Sequence, residues 1–156
     1  MPIYEKFVGA SRDDFISLSD AQKNYKLKWE DNFNFAYDVV DELARTNPDK
    51  LAMIWISKDG EEVRFTYKDI SIMSNKAANY FKYLGVKKGD RMLLVLKRSY
   101  YFWFCMLGLN KIGAVAVQAT NMLKPKDYVY RCNAGKIKYA VITGDGDATE
   151  CFDELK

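Results

Sequence analysis

The sequence predicts an α/β protein built from βαβ units, with a mainly parallel sheet and one added β-hairpin. Two observations carry this. From Lys88 onward a turn, a short apolar strand and a helix recur in order. Before that, Lys58-Asp59-Gly60 separates two β-rich runs, and Asp-Gly between such runs marks a hairpin because glycine accepts the positive φ of the turn. At 156 residues the chain has the size of one domain.

The elements follow in sequence. Residues 1–33 mix charged and aromatic side chains without sustained period and read as an arm wrapping over a larger body, with a short helix near Ser19–Trp29. Residues 34–156 read as the α/β part. Asn34 is placed to cap a helix whose Ala36, Val39, Val40 and Leu43 share a face, and Asn47-Pro48-Asp49 ends it. Leu51–Ser57 and Glu61–Tyr67 form the hairpin. Thr66-x-x-Asp69 resembles a capping box ahead of a helix with Ile70, Met73, Ala77, Tyr80, Phe81 and Leu84 as its apolar stripe and Gly85 as its stop. Arg91–Leu96 is a buried strand. Tyr100–Lys111 is a helix apolar nearly all round, hence buried between layers, and Gly113 ends it. Ala114–Gln118 is the second strand. Pro125 opens a helix with Gly135 at its end. Lys138–Thr143 is the third strand, and Asp147 caps a last helix, Ala148–Leu155.

Composition excludes several chemistries. There are no histidines, so Ser-His-Asp and Cys-His catalysis and His-ligated zinc are ruled out within this chain. Cys105, Cys132 and Cys151 show no metal-knuckle spacing, and free thiols suit a reducing cytoplasm. Met1–Asp20 lacks a basic stretch followed by an apolar core, so no secretory signal is expected. The apolar run Tyr100–Leu109 is too short to span a bilayer. The formal charge of +3 hides an asymmetry: residues 82–138 carry 12 basic and 2 acidic groups, while residues 139–156 carry 1 and 5. The basic stretch faces an anion or is a solvated surface, and no nucleic-acid-binding signature accompanies it.

Candidate site residues lie after the strands, where open α/β sheets bind ligands. Arg98, just past strand 91–96, either holds a phosphate or carboxylate in two-point contact or belongs to a surface Lys97-Arg98 pair. Gln118-Ala119-Thr120-Asn121 follows the second strand with small and polar residues that let a ligand approach the backbone, or is an ordinary connection. Gly144-Asp145-Gly146-Asp147 sits where a phosphate loop would, but it lacks the third glycine and two aspartates repel phosphate, so it reads as a capped turn. The rings of Tyr100–Phe104 read as core packing rather than a base-stacking platform.

Several segments together resemble the adenylate-forming (AMP-binding) acyl-CoA synthetases, with the medium-chain ligases nearest. Phe65-Thr66-Tyr67-Lys68-Asp69-Ile70 is similar to the first core motif of that family. Leu84-Gly85-Val86-Lys87-Lys88-Gly89-Asp90-Arg91 resembles its helix-to-strand linker, and Leu109-Asn110-Lys111-Ile112-Gly113-Ala114-Val115 its second core motif. Asn34–Asp38 and the stretch Ala119-Thr120-Asn121-Met122-Leu123 also fit. Gln118 stands where the family usually has proline. The family's Ser/Thr/Gly-rich phosphate loop, ribose-binding aspartate and catalytic lysine map to nothing in this sequence.

The resemblance therefore implies the N-terminal part of the large domain of a longer synthetase, partnered by the remainder of that chain. Such an enzyme uses ATP, CoA and Mg2+ to turn a carboxylic acid into an acyl-adenylate and then an acyl-CoA, and the fragment alone is expected to be inactive. The loop after the second motif's strand runs near the CoA route in this family, which brings Ala119 and Thr120 forward as cofactor-binding residues beside Arg98. Two other readings stay open: a stand-alone small α/β module binding an anion or nucleotide, and a self-associating domain that forms a homo-oligomer through its unfinished sheet.

Overall fold

The computed structural model describes residues 3–8, 15–144 and 149. The last helix expected, Ala148–Leu155 with its Asp147 cap, lies outside the described residues except for Thr149.

The arm begins with a 3₁₀ turn, Ile3–Lys6, and continues to α1, Leu18–Asn24, where Ser17 Oγ accepts from Asp20 N at 3.1 Å. Phe7 carbonyl accepts from Lys28 N at 2.7 Å, and the Phe7 and Phe33 rings meet edge to face at 5.1 Å. The Lys6 ammonium lies 3.0 Å from Glu42 Oε1, which ties the arm to the next helix. Arg45, and after it Lys6, hold the partly buried Glu42 carboxyl down at about 2.

The helix announced by Asn34 is present, and Asn34 Oδ1 accepts from Ala36 N at 3.0 Å. Its first part, Ala36–Asp41, is a π-helix that runs directly into α2, Glu42–Thr46. A period of 3.6 cannot distinguish such a widened turn. Here it sets Tyr37 and Asp41 against the last turn of the helix ending at Lys111: Tyr37 Oη donates to Lys111 carbonyl at 3.3 Å, and Lys111 Nζ to Asp41 Oδ1 at 2.8 Å.

The hairpin pairs β1, Leu51–Ile56, with β2, Glu62–Thr66, antiparallel, and Gly60 takes φ +85° in its turn. β2 runs straight into α3, Tyr67–Tyr83, through a complete capping box. Thr66 Oγ1 accepts from Asp69 N at 3.2 Å, while Asp69 Oδ2 accepts from Thr66 Oγ1 at 2.7 Å and from Thr66 N at 2.9 Å. These bonds, the hydroxyl's first, hold the Asp69 carboxyl below its ordinary range. A lowered folded-state value means that the box contributes above the unfolded-state value and fades as pH falls through the folded one. Thr66→Ala is expected to cost about 1 kcal/mol near neutrality. In urea denaturation the penalty should shrink on acidification; an equal penalty at every pH would contradict this.

The apolar stripe expected on α3 is rotated in the structure. Ser74 and Ala78 are buried with Ile70 and Phe81, whereas Tyr80 is 59% exposed and Leu84 45%. The reason is the close approach of α4, Tyr101–Lys111. Gly108 lets the α4 backbone come so near that a Cβ there would stand 2.9 Å from Ala77 Cβ and from Ala78 N. Small residues thus face α4, and the bulky Tyr80 turns outward.

The second sheet is parallel, in the order β4, β3, β5, formed by Val115–Gln118, Arg91–Val95 and Tyr139–Ile142. Central β3 alternates between two cores, as period 2 requires. Met92 and Leu94 pack with Phe81 of α3 and Leu109 of α4; Leu93 and Val95 pack with Tyr128 of α5, Pro125–Gly135. The chain steps from β3 out to β4, then back across β3 to β5. Right-handed crossovers in opposite directions require helices on opposite faces, and α4 and α5 occupy opposite faces. A third cluster, Ala36, Val40, Ile70, Phe104 and Leu107, joins α4 to the π-helix and hairpin. α4 is therefore a middle layer, though Tyr101 and Trp103 are half exposed, so it is not buried all round. At the end of α5 the left-handed residue is Lys136, φ +47°, not Gly135.

Candidate functional site

The three parallel strands bring their carboxyl ends to one edge. The loop after β3 turns toward α4 on one face, and the loop after its neighbour β4 turns toward α5 on the other. Adjacent strands whose loops part in this way make a topological switch point, the place where open α/β sheets form a crevice. Arg98 lies in the first loop, and Ala119 and Thr120 in the second. Parallel pairing thus places all three candidates along one edge, across the β3–β4 pair.

Local bonding fixes each loop. Ala119 N donates to Leu94 carbonyl at 3.0 Å, carrying the ladder one residue past β4, and its methyl group packs on the Leu93–Val95–Tyr128 cluster. Thr120 is exposed. Its carbonyl accepts from buried Tyr128 Oη at 3.1 Å, and its Oγ1 accepts from Met122 N at 3.3 Å. After β3, Lys97 sits at φ +39° and Ser99 N donates to Leu96 carbonyl at 3.0 Å, so the turn is tight. The Arg98 side chain is exposed, and its carbonyl accepts from Trp55 Nε1 at 2.7 Å. After β5, Thr143 N donates to Val95 carbonyl at 3.1 Å. Thr143 Oγ1 is buried at this edge without a hydrogen-bond partner among the described residues. Of the stretch 144–147, only Gly144 is described; the rest of that turn lies outside the described residues.

The donor set decides what the edge can hold. The exposed Arg98 fork and the exposed Thr120 are groups suited to a phosphate or another anion. No group of three or more His, Cys, Asp or Glu is placed to bind a metal among the described residues. Nor do the thiols offer a nucleophile: burial pushes Cys105 up to about 11 and raises Cys132 as well, disfavouring the thiolate. Cys151 lies outside the described residues. Clefts are also present elsewhere. Spaces of about 550 and 330 Å³ lie between the arm and the helix from Ala36, and one of about 540 Å³ runs along the open side of β5 beside Tyr80 and Leu84.

Two features escaped sequence reasoning. Lys111, expected only to interrupt an apolar run, is buried. Its ammonium donates to Asp41 Oδ1 and to Asn75 Oδ1, each at 2.8 Å, and stands 5.6 Å from the centre of the Tyr37 ring. A lysine closing so apolar a helix was the available signal. Trp55 reaching the β3 loop is the other; only its inward place in the hairpin's alternation hinted at it.

Comparison with known proteins agrees with this architecture. The profile of the AMP-binding enzyme family matches residues 40–156. The orangutan (Pongo abelii) protein named acyl-coenzyme A synthetase ACSM3, mitochondrial, is 32% identical over 142 residues, covering 87% of this chain and 24% of that protein. Acyl-coenzyme A synthetase ACSM5, mitochondrial, of Rattus norvegicus is 36% identical over 119 residues, covering 72% and 20%. Among solved structures, an acyl-CoA synthetase of Brucella canis superposes with TM-score 0.72 at 22% identity, over 80% of this chain and 22% of that one. A benzoate CoA ligase from Burkholderia xenovorans LB400 does so with TM-score 0.62 at 29% identity, over 72% and 22%. The chain thus spans about a quarter of the length of the curated relatives it matches. No helix among the described residues is long and apolar enough to cross a membrane. With its sequence matched from Val40 onward and its layers superposing on those of acyl-CoA synthetases, the chain belongs to the AMP-binding enzyme family.

Proposed function

We propose that this chain is the N-terminal quarter of an ATP-dependent acyl-CoA synthetase and supplies one wall of its substrate crevice. In the whole enzyme, a carboxylate oxygen attacks the α-phosphorus of ATP, forming an acyl-adenylate and releasing pyrophosphate. The CoA thiolate then attacks the acyl carbon and releases AMP. The single observation that carries the reading is the family match over 40–156. Within that reaction this chain's share is binding. Ala119 and Thr120 line the approach of CoA, and Arg98 meets phosphate charge at the same edge.

Alone, the chain activates no acid, because the phosphate loop and catalytic lysine of the family map to nothing in it. The open sides of β4 and β5 are where the remainder of the synthetase, or a second copy of this chain, pairs. A cytoplasmic site of action rests on the unpaired Cys105 and Cys132; the relatives above are named as mitochondrial.

Titration with millimolar CoA, followed by backbone amide shifts, tests the assignment. The expected result is a saturable response confined to residues 96–99 and 118–121 and weakened in Arg98→Gln, which keeps a polar side chain but removes its charge. Shifts centred on the arm, or none, would overturn it.

A further inference from the structure

The anion-facing role of Arg98 needs its turn to be held, and the structure shows what holds it. Lys97, a residue with a Cβ, sits at φ +39°, a conformation that costs free energy unless neighbouring bonds enforce it. Ser99 N to Leu96 carbonyl at 3.0 Å and Tyr101 N to Ser99 Oγ at 3.3 Å close the turn from within. A further bond comes from a distant element: Trp55 of the hairpin donates its indole Nε1–H to Arg98 carbonyl at 2.7 Å. The Trp55 ring also packs edge to face on Tyr100, the next aromatic after the turn, at 5.1 Å.

The hairpin itself does not depend on this bond. Its ladder pairs Met53 to Ile56 with Glu62 to Phe65, and Phe65 anchors it on Phe104 at 5.4 Å. The indole N–H therefore acts chiefly on the turn. Arg98 has an exposed guanidinium that no described residue engages. Such a group is free for a ligand, but its long side chain loses much entropy on binding unless its backbone is already fixed.

We propose that Trp55 is a positioning residue for Arg98, fixing the β3–α4 turn by its indole N–H so that the guanidinium binds a phosphate group at the carboxyl edge of the sheet. This rests on the reading of that edge given above. Phosphate is the ligand class because the arginine fork matches its paired oxygens.

The test is titration of the 156-residue chain with inorganic pyrophosphate, followed by 1H–15N correlation spectra. Three indole resonances are present, from Trp29, Trp55 and Trp103, and the one missing in Trp55→Phe identifies Trp55. In the wild type, the Trp55 indole and the Arg98 and Ser99 amides should shift with one dissociation constant. Arg98→Gln should weaken binding at least about tenfold. Trp55→Phe keeps a ring against Tyr100 but deletes the donor; it should weaken binding about three- to tenfold while lowering the urea midpoint only modestly, so that the chain stays fully folded in the titration. Absence of saturable shifts, or equal binding by Arg98→Gln, would overturn the reading of the edge and this inference with it. Binding that depends on Arg98 but leaves the Trp55 indole unmoved, or that survives Trp55→Phe within twofold, would overturn this inference alone.

Discussion

Replacing Lys111 with methionine is expected to destabilise the chain by about 3 kcal/mol, the lower end of the cost of breaking a buried ion pair. The side chain is 1% exposed and holds together three elements: Asp41 from the π-helix, Asn75 from α3, and its own place in the last turn of α4. Methionine fills most of the same volume, so little of the loss comes from a cavity. The loss comes from two stranded acceptors and from the lysine charge that stood in the favourable field at a helix C-terminus. The lower figure applies because Asp41 is 24% exposed and can turn partly to water. A melting point lower by roughly 6–12 °C is the expected reading for a domain of this size. Adding Asp41→Asn should recover part of the loss, since it removes the uncompensated charge. A drop under about 1 kcal/mol would show that the cluster is solvated and carries little of the fold.

Gly108→Ala carries the second large effect, and its sign comes from two opposed magnitudes. In an open helix, alanine in place of glycine gains about 1 kcal/mol. Here its Cβ would stand 2.9 Å from Ala78 N and 3.1 Å from Ser74 O, both backbone atoms that no side-chain rotation can move aside. Separating α3 from α4 typically costs up to about 3 kcal/mol, so the net should be a destabilisation of about 2 kcal/mol. Valine should do more damage and yield little folded protein. Ala77→Gly in the alanine background relieves only the 2.9 Å contact with Ala77 Cβ, so rescue should be partial. Full rescue, or a stabilised Gly108→Ala, would mean that the helices are not packed this closely.

These two sites mark where the sequence was readable and where it was not. The βαβ alternation, the Asp-Gly hairpin and the Thr66–Asp69 box depend on local chemistry, and each was legible from a few adjacent residues. The rotation of α3 was not, because Ser74, Ala77 and Ala78 face inward only through a glycine thirty residues further on. Nor was the π-turn at 36–41, whose widening matches partners on α4. Burial of Lys111 ran against its residue type, and only its neighbours in space explain it. For the candidate site, the positions of Arg98, Ala119 and Thr120 after strands could be read in advance. That they flank the β3–β4 switch point required the strand order, and the Trp55 bond required the placement of the hairpin.

The most direct test of the account is carboxylate-dependent exchange of pyrophosphate into ATP by the purified 156-residue chain, assayed with a range of aliphatic and aromatic acids. The account predicts no exchange above background, because the phosphate loop and catalytic lysine on which the proposed adenylation depends map to nothing in this sequence. Robust turnover that follows the folded chain through purification would contradict it.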